Sequence, residues 1–158
     1  MESANIASFT GRFQTMFEAD DPAASRKEHE SGRVDAVRRQ FEALGRGDMQ
    51  AFLDSLHPEV ELEIAAPPEL NWLPSARGAD EFRRVVEHNF AQVADQDTRL
   101  LAIVAQGDVV VVTGRETGRI RSGDRPYDLY FTYMFTFRDG KEWRILEIAA
   151  AAGNTPRR

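Results

Sequence analysis

The chain has 158 residues, 42% of them hydrophobic, with 20 Lys and Arg against 26 Asp and Glu and a net charge of −6. That length carries one domain with a real core, and the acidic balance argues against a nucleic-acid surface, which needs clustered positive charge. The lack of cysteine excludes disulfides, a thiolate nucleophile and a Cys-type zinc site.

A cytoplasmic location is expected. The start, MESANIASFTGRF, has no basic segment followed by an apolar run. No apolar stretch is long enough to span a bilayer, so no membrane partner is expected.

Along the chain, Ile6, Phe9, Phe13, Met16 and Phe17 share one face of a helix. It reads as a cover for an apolar patch or as a partner-binding arm. ADDPAASRKEHESG follows as a linker, so residues 1–31 form an N-terminal extension to a domain at 32–152. Val34, Val37, Phe41 and Leu44 define the next helix, stopped at Gly45 and Gly47. Asp48 caps a short helix over MQAFLDSLH.

In PEVELEIAAPPE, Val60, Leu62 and Ile64 alternate with glutamates, the pattern of a half-buried strand. A long loop with Trp72 and three prolines leads to a third helix, with Phe82, Val85, Val86, Asn89, Phe90 and Val93 inward. Four strands in antiparallel hairpins complete the domain, and residues 153–158 form a tail. This order predicts an α+β fold: a curled antiparallel sheet carrying three helices on its concave face, a cone whose mouth is a natural pocket.

The strand YDLYFTYMFTF places Tyr127, Leu129, Phe131, Tyr133, Phe135 and Phe137 on one face and Tyr130 and Met134 on the other. The RDGK turn decides what lies opposite. A three-residue loop with Gly in a bulge sets Tyr133 against Glu147 and groups Trp143, Ile145, Glu147 and Ala149 on one face. A two-residue loop shifts the pairing and turns Glu147 outward. The first is expected, because Trp143 and Ile145 belong in a core. A carboxylate in an apolar cone has a raised pKa, suited to acid–base work near neutrality. Glu147 also reads as a structural acid satisfied by Tyr133, Arg115 or a backbone amide.

Several phrases, ALGRGDMQAFLDSLHPEVELE (43–63), ARGADEFRRVV (76–86), GDVVVVTGRETG (107–118) and FTFRDGKEWRILE (135–147), resemble the nuclear transport factor 2-like superfamily, in particular SnoaL-like and ketosteroid-isomerase-like proteins. The resemblance implies a cystatin-like cone and, in many members, pairing of two subunits sheet to sheet. The isomerase positions for the carbonyl-polarising tyrosine, the general-base aspartate and the protonated aspartate fall on Gln40, Ile64 and Tyr133. That replacement argues against steroid isomerisation.

The resulting expectation is a cofactor-free, metal-free acid–base enzyme of isomerase, cyclase or dehydratase type, acting on a small hydrophobic oxygenated molecule. Tyr133 and Glu147 are its catalytic candidates. Gln40, Ile64, Trp72, Phe131, Phe135 and Trp143 are its ligand-binding candidates. The alternative is a non-catalytic small-molecule-binding or dimerisation domain. A homodimer through the outer sheet face is expected in either case. His57 reads as a turn residue and His88 as a surface residue.

Overall fold

The structure, a computed structural model, describes residues 23–153. The apolar stripe expected at Ile6–Phe17 lies outside them. Helix α1 (Ala23–Gly45) begins within the segment read as linker. Residues 23–32 carry no apolar face, which hid the helix from a periodicity argument. Tertiary bonds hold this polar stretch. Glu30 accepts the Gly107 backbone N–H at 2.8 Å, and Arg33 donates to the Gly107 carbonyl at 2.5 Å and pairs with Asp108 at 2.8 Å.

Further along α1, Val37, Gln40 and Ala43 are buried, with Phe41 and Leu44 half-buried beside them. Gly47, at φ 72°, takes the left-handed turn out of the helix. Asp48 then accepts the Ala51 N–H at 3.0 Å and starts α2 (Met49–Asp54).

Six strands follow around one more helix: β1 (Leu56–Ala65), β2 (Ser75–Arg77), α3 (Ala79–Ala91), β3 (Val93–Gln106), β4 (Val109–Ile120), β5 (Arg125–Arg138) and β6 (Lys141–Ala151). They form one sheet in the order β2-β1-β6-β5-β4-β3. The short β2 interrupts what the sequence presents as loop, pairing with β1 through Leu62 and Ala76. The sheet is mixed rather than wholly antiparallel, because β1 runs parallel to β6. No hairpin joins those two strands, so no turn signal announces the pairing. Val60 and Leu62 of β1 point inward as expected, as do Phe82, Val85 and Asn89 of α3.

The β5–β6 register differs in mechanism from the expectation and agrees in outcome. Arg138 pairs with Lys141, so the loop has two residues, and Asp139 and Gly140 both take positive φ, 52° and 72°. Phe137 then pairs with Glu142 and Thr136 with Arg144, leaving Trp143 as an extra residue in a bulge. The bulge restores the pairing of Tyr133 with Glu147. The turn and bulge together leave two side chains opposite to the expectation. Trp143, expected inward, lies outside between the Arg138 and Arg144 guanidiniums, 5.1 and 4.4 Å from its ring centroid. Glu142 takes the inward place and is fully buried.

Inner aromatics lie across glycines of β4. A Cβ on Gly114 falls 2.2 Å from the Phe131 ring and 2.7 Å from the Arg99 carbonyl, and one on Gly118 falls 2.7 Å from the Tyr127 hydroxyl. Gly114 is thus required for packing, since the Arg99 carbonyl is backbone and cannot swing away. Gly114→Ala is expected to cost on the order of 2 kcal/mol in urea unfolding. Adding Phe131→Leu to free the ring side is expected to recover only part of it. Full recovery in the double variant is the result that refutes the backbone clash.

Candidate functional site

The inner face of the sheet and the three helices line an open-mouthed cavity of about 90 Å³. Phe41 and Leu44 of α1, Phe82, Val86 and Phe90 of α3, and Leu62, Ile64, Phe135 and Ile145 of the sheet supply apolar walls. Its polar lining comes from Gln40, Asn89, Gln96, Glu116, Tyr133 and Glu147.

Glu147 on β6 is flanked by Tyr133 of β5 and Ile64 of β1, its register partners on either side. Its residue surface is only 7% exposed. Burial pushes its carboxyl up to about 7. A hydrogen bond from Tyr133 opposes that shift, and the charge of Glu116 adds to it. Arg115, weighed from the sequence as its partner, makes a bidentate pair with Asp128 instead.

Tyr133 is itself enclosed by rings. Phe41 and Phe131 meet it edge-on at 5.5 Å, and Phe135 stacks on it at 5.7 Å. Burial, then the neighbouring Glu147, holds the phenol well above its ordinary pKa, so it remains a donor.

Of the ligand-binding candidates, Gln40, Ile64, Trp72 and Phe135 line the cavity beside Tyr133 and Glu147. Phe131 points inward but is buried against Gly114 and borders a neighbouring groove instead. Trp143 does not reach the cavity, for the bulge between β5 and β6 sends it outward. Trp72 sits on a loop latched to α3 through Asn89. Asn89 accepts the Leu73 N–H at 2.7 Å and donates to the Leu73 carbonyl at 3.3 Å. The Trp72 indole N–H is buried without a partner among the described residues.

His57 serves its turn, its Nδ1 accepting the Glu59 N–H at 3.0 Å. His88 Nε2 lies 3.3 Å from the Asn71 carbonyl. Among the described residues no three His, Asp or Glu side chains gather in a way that could hold a metal ion.

Two acids were missed from the sequence. Glu116 of β4 accepts hydrogen bonds from the Tyr127 hydroxyl at 2.7 Å, Gln96 at 3.1 Å and Thr98 at 3.2 Å. Gln96 reaches inward because β3 bulges between Ala94 and Asp97, where Asp95 adopts φ 52°. The alternation of Val110, Val112, Gly114 and Glu116 was the available signal for Glu116.

The second missed acid is Glu142. Its Oε2 accepts from Gln40 Nε2 at 2.6 Å and lies 3.4 Å from Ser55 Oγ, while Oε1 has no partner among the described residues. Burial pushes this carboxyl up to about 8, against the opposing bonds from Gln40 and Ser55. It is therefore an uncharged acid at neutral pH that fixes the Gln40 amide. Nothing in the sequence marks it, since Glu142 follows a turn and reads as a surface charge.

The sequence profile of the SnoaL-like domain family matches residues 37–145, and the chain belongs to that family. A search of the curated proteins finds no match. Among solved structures it is similar to a nuclear transport factor 2-like protein of unknown function from Burkholderia pseudomallei, with 21% identity, 73% of this chain and 88% of that one covered and a TM-score of 0.65. A nuclear transport factor 2-like protein from Burkholderia xenovorans gives 25% identity, 77% and 91% coverage and a TM-score of 0.64. An epoxide hydrolase from M. tuberculosis, of the LEH-like kind, gives 15%, 77% and 84%, and 0.61. These likenesses establish the fold.

The raised carboxyl of Glu142 has a measurable consequence. The native state holds a proton that the unfolded chain releases above the ordinary glutamate value of 4.5. Its contribution to stability is complete below that value and is lost as pH rises to about 8. The loss is on the order of 5 kcal/mol. Thermal unfolding at pH 6 and pH 9 is expected to show a larger drop for the native sequence than for Glu142→Gln. Equal drops are the result that refutes a buried neutral acid.

Proposed function

We propose that this SnoaL-like domain is a cofactor-free acid–base enzyme of the isomerase, cyclase or dehydratase type, acting in its cavity on a small, mostly hydrophobic, oxygenated molecule. One observation carries the reading: Glu147 is a buried carboxyl on the cavity wall, raised to about 7, with the Tyr133 phenol as its cross-strand neighbour. Such a group exchanges protons near neutral pH, and the phenol donates a hydrogen bond to oxygen charge as it develops. Membership of the family supports the reaction classes, and an epoxide hydrolase of the same fold adds support for proton-transfer chemistry on this scaffold.

The reading includes a homodimer through the outer sheet face. Tyr130, Met134 and Ile148 there are 48%, 40% and 49% exposed, a patch that a second copy would cover.

Native mass spectrometry of freshly purified protein, with a denatured control, is the first test. A dimer carrying a reproducible small-molecule mass is expected, and that mass identifies the substrate class to assay. In that assay Glu147→Gln is expected to lower turnover by about 10²-fold or more and to remove the inflection near pH 7 from the rate profile. Full turnover in the variant, with the ligand still bound, establishes the non-catalytic binding domain instead.

A further inference from the structure

The cavity carries a charge pattern that constrains its ligand, a constraint that rests on the proposed reading of the cavity as a ligand site. Seven of its seventeen lining side chains are aromatic, two are glutamates, and none is Lys, Arg or His. The three groups that donate to Glu116 are all neutral, a phenol, an amide and a hydroxyl. They disperse its charge without cancelling it.

Neither Glu116 nor Glu147 takes part in an ion pair among the described residues. Arg115, next to Glu116 in sequence, is engaged with Asp128. Glu116 stands where the cavity meets an outer groove, and the basic side chains of that groove, Arg38 and Arg46, lie beyond the cavity lining.

Glu116 is half-buried where the cavity opens, with neutral donors and no paired cation among the described residues, so a ligand that brings a cation to it gains an attraction that water only partly screens. Aromatic ring faces attract cations as well. An anionic ligand meets like charge at Glu116, and the chain's net charge of −6 repels it during approach.

We propose that the ligand of this cavity carries a basic nitrogen, bound as its protonated ammonium against Glu116 within the aromatic walls. Anions are excluded, and neutral molecules bind through the apolar walls alone. The second acid responds to the same cation. Glu147 faces Tyr133 from β5 and Glu116 from β4, with Gln40 from α1 on the same lining. An ammonium in the cavity favours the ionised form of Glu147, so binding near neutral pH releases protons.

The test uses the full chain and three probes of matched size: 2-phenylethylamine, 2-phenylethanol and 3-phenylpropanoate, titrated at pH 8 by NMR and at pH 7 by calorimetry in two buffers. The amine is expected to bind at least tenfold more tightly than the alcohol, with release of protons at pH 7, and the propanoate most weakly. Glu116→Gln is expected to erase the amine's advantage while leaving alcohol affinity within twofold, which also shows that the variant folds. The inference is overturned if the propanoate binds as tightly as the amine, or if the amine's margin survives in Glu116→Gln. If the alcohol perturbs cavity resonances and the amine has no advantage, charge selection falls and the ligand site stands. If none of the three perturbs them, both fall.

Discussion

The register between the last two strands governs this molecule. A two-residue turn alone would put every side chain of β6 beyond Trp143 on the wrong face, because side chains alternate with period two. One extra residue, Trp143, corrects it. The correction puts Ile145 into the core and Glu147 onto the cavity wall, while Glu142, ahead of the bulge, is turned inward by the two-residue turn itself. Trp143 accepts its outward position because two guanidiniums sandwich its ring. Every feature of the site downstream of the turn, including the Tyr133–Glu147 pairing, depends on that insertion.

The buried acids create opposing demands. Each costs desolvation, and among the described residues neither pairs with a cation, so the fold keeps them by favouring the protonated form. Glu142 serves structure, tying Gln40 of α1 to β6 through a 2.6 Å bond. Glu147 lies on the cavity wall, where the phenol of Tyr133 hydrogen-bonds it. Two glutamates five residues apart on one strand thus stand in different surroundings, one closed and one open.

Much of the architecture was legible because it follows from periodicity. The alternation in β1 and β5, the apolar face of α3 and the Gly-Asp boundary before α2 each encode an element through local chemistry. The resemblance in residues 43–63 and 135–147 supplied the cone. What was not legible came from non-local pairing. The polar first turns of α1 are held by a hairpin more than seventy residues away. The parallel contact of β1 with β6 has no turn to betray it, and the bulges at Trp143 and Asp95 depend on tertiary fit. Gln96 reaches the cavity through the bulge at Asp95, and Glu142 is turned inward by a two-residue turn where a three-residue one was expected, so both escaped the reading.

The parallel seam between β1 and β6 also constrains the order in which the domain can be made. During synthesis β1 emerges early, and its partner is the last strand of the sheet. Until β6 leaves the ribosome, one side of β1 has no partner and the Glu147 wall of the cavity does not exist. Loop closure over nearly the whole domain must precede that contact, so folding belongs to the slower, high-contact-order class. The β3–β4–β5 meander is the part that can assemble first, from neighbours in sequence, and wait as a template for the closing strand.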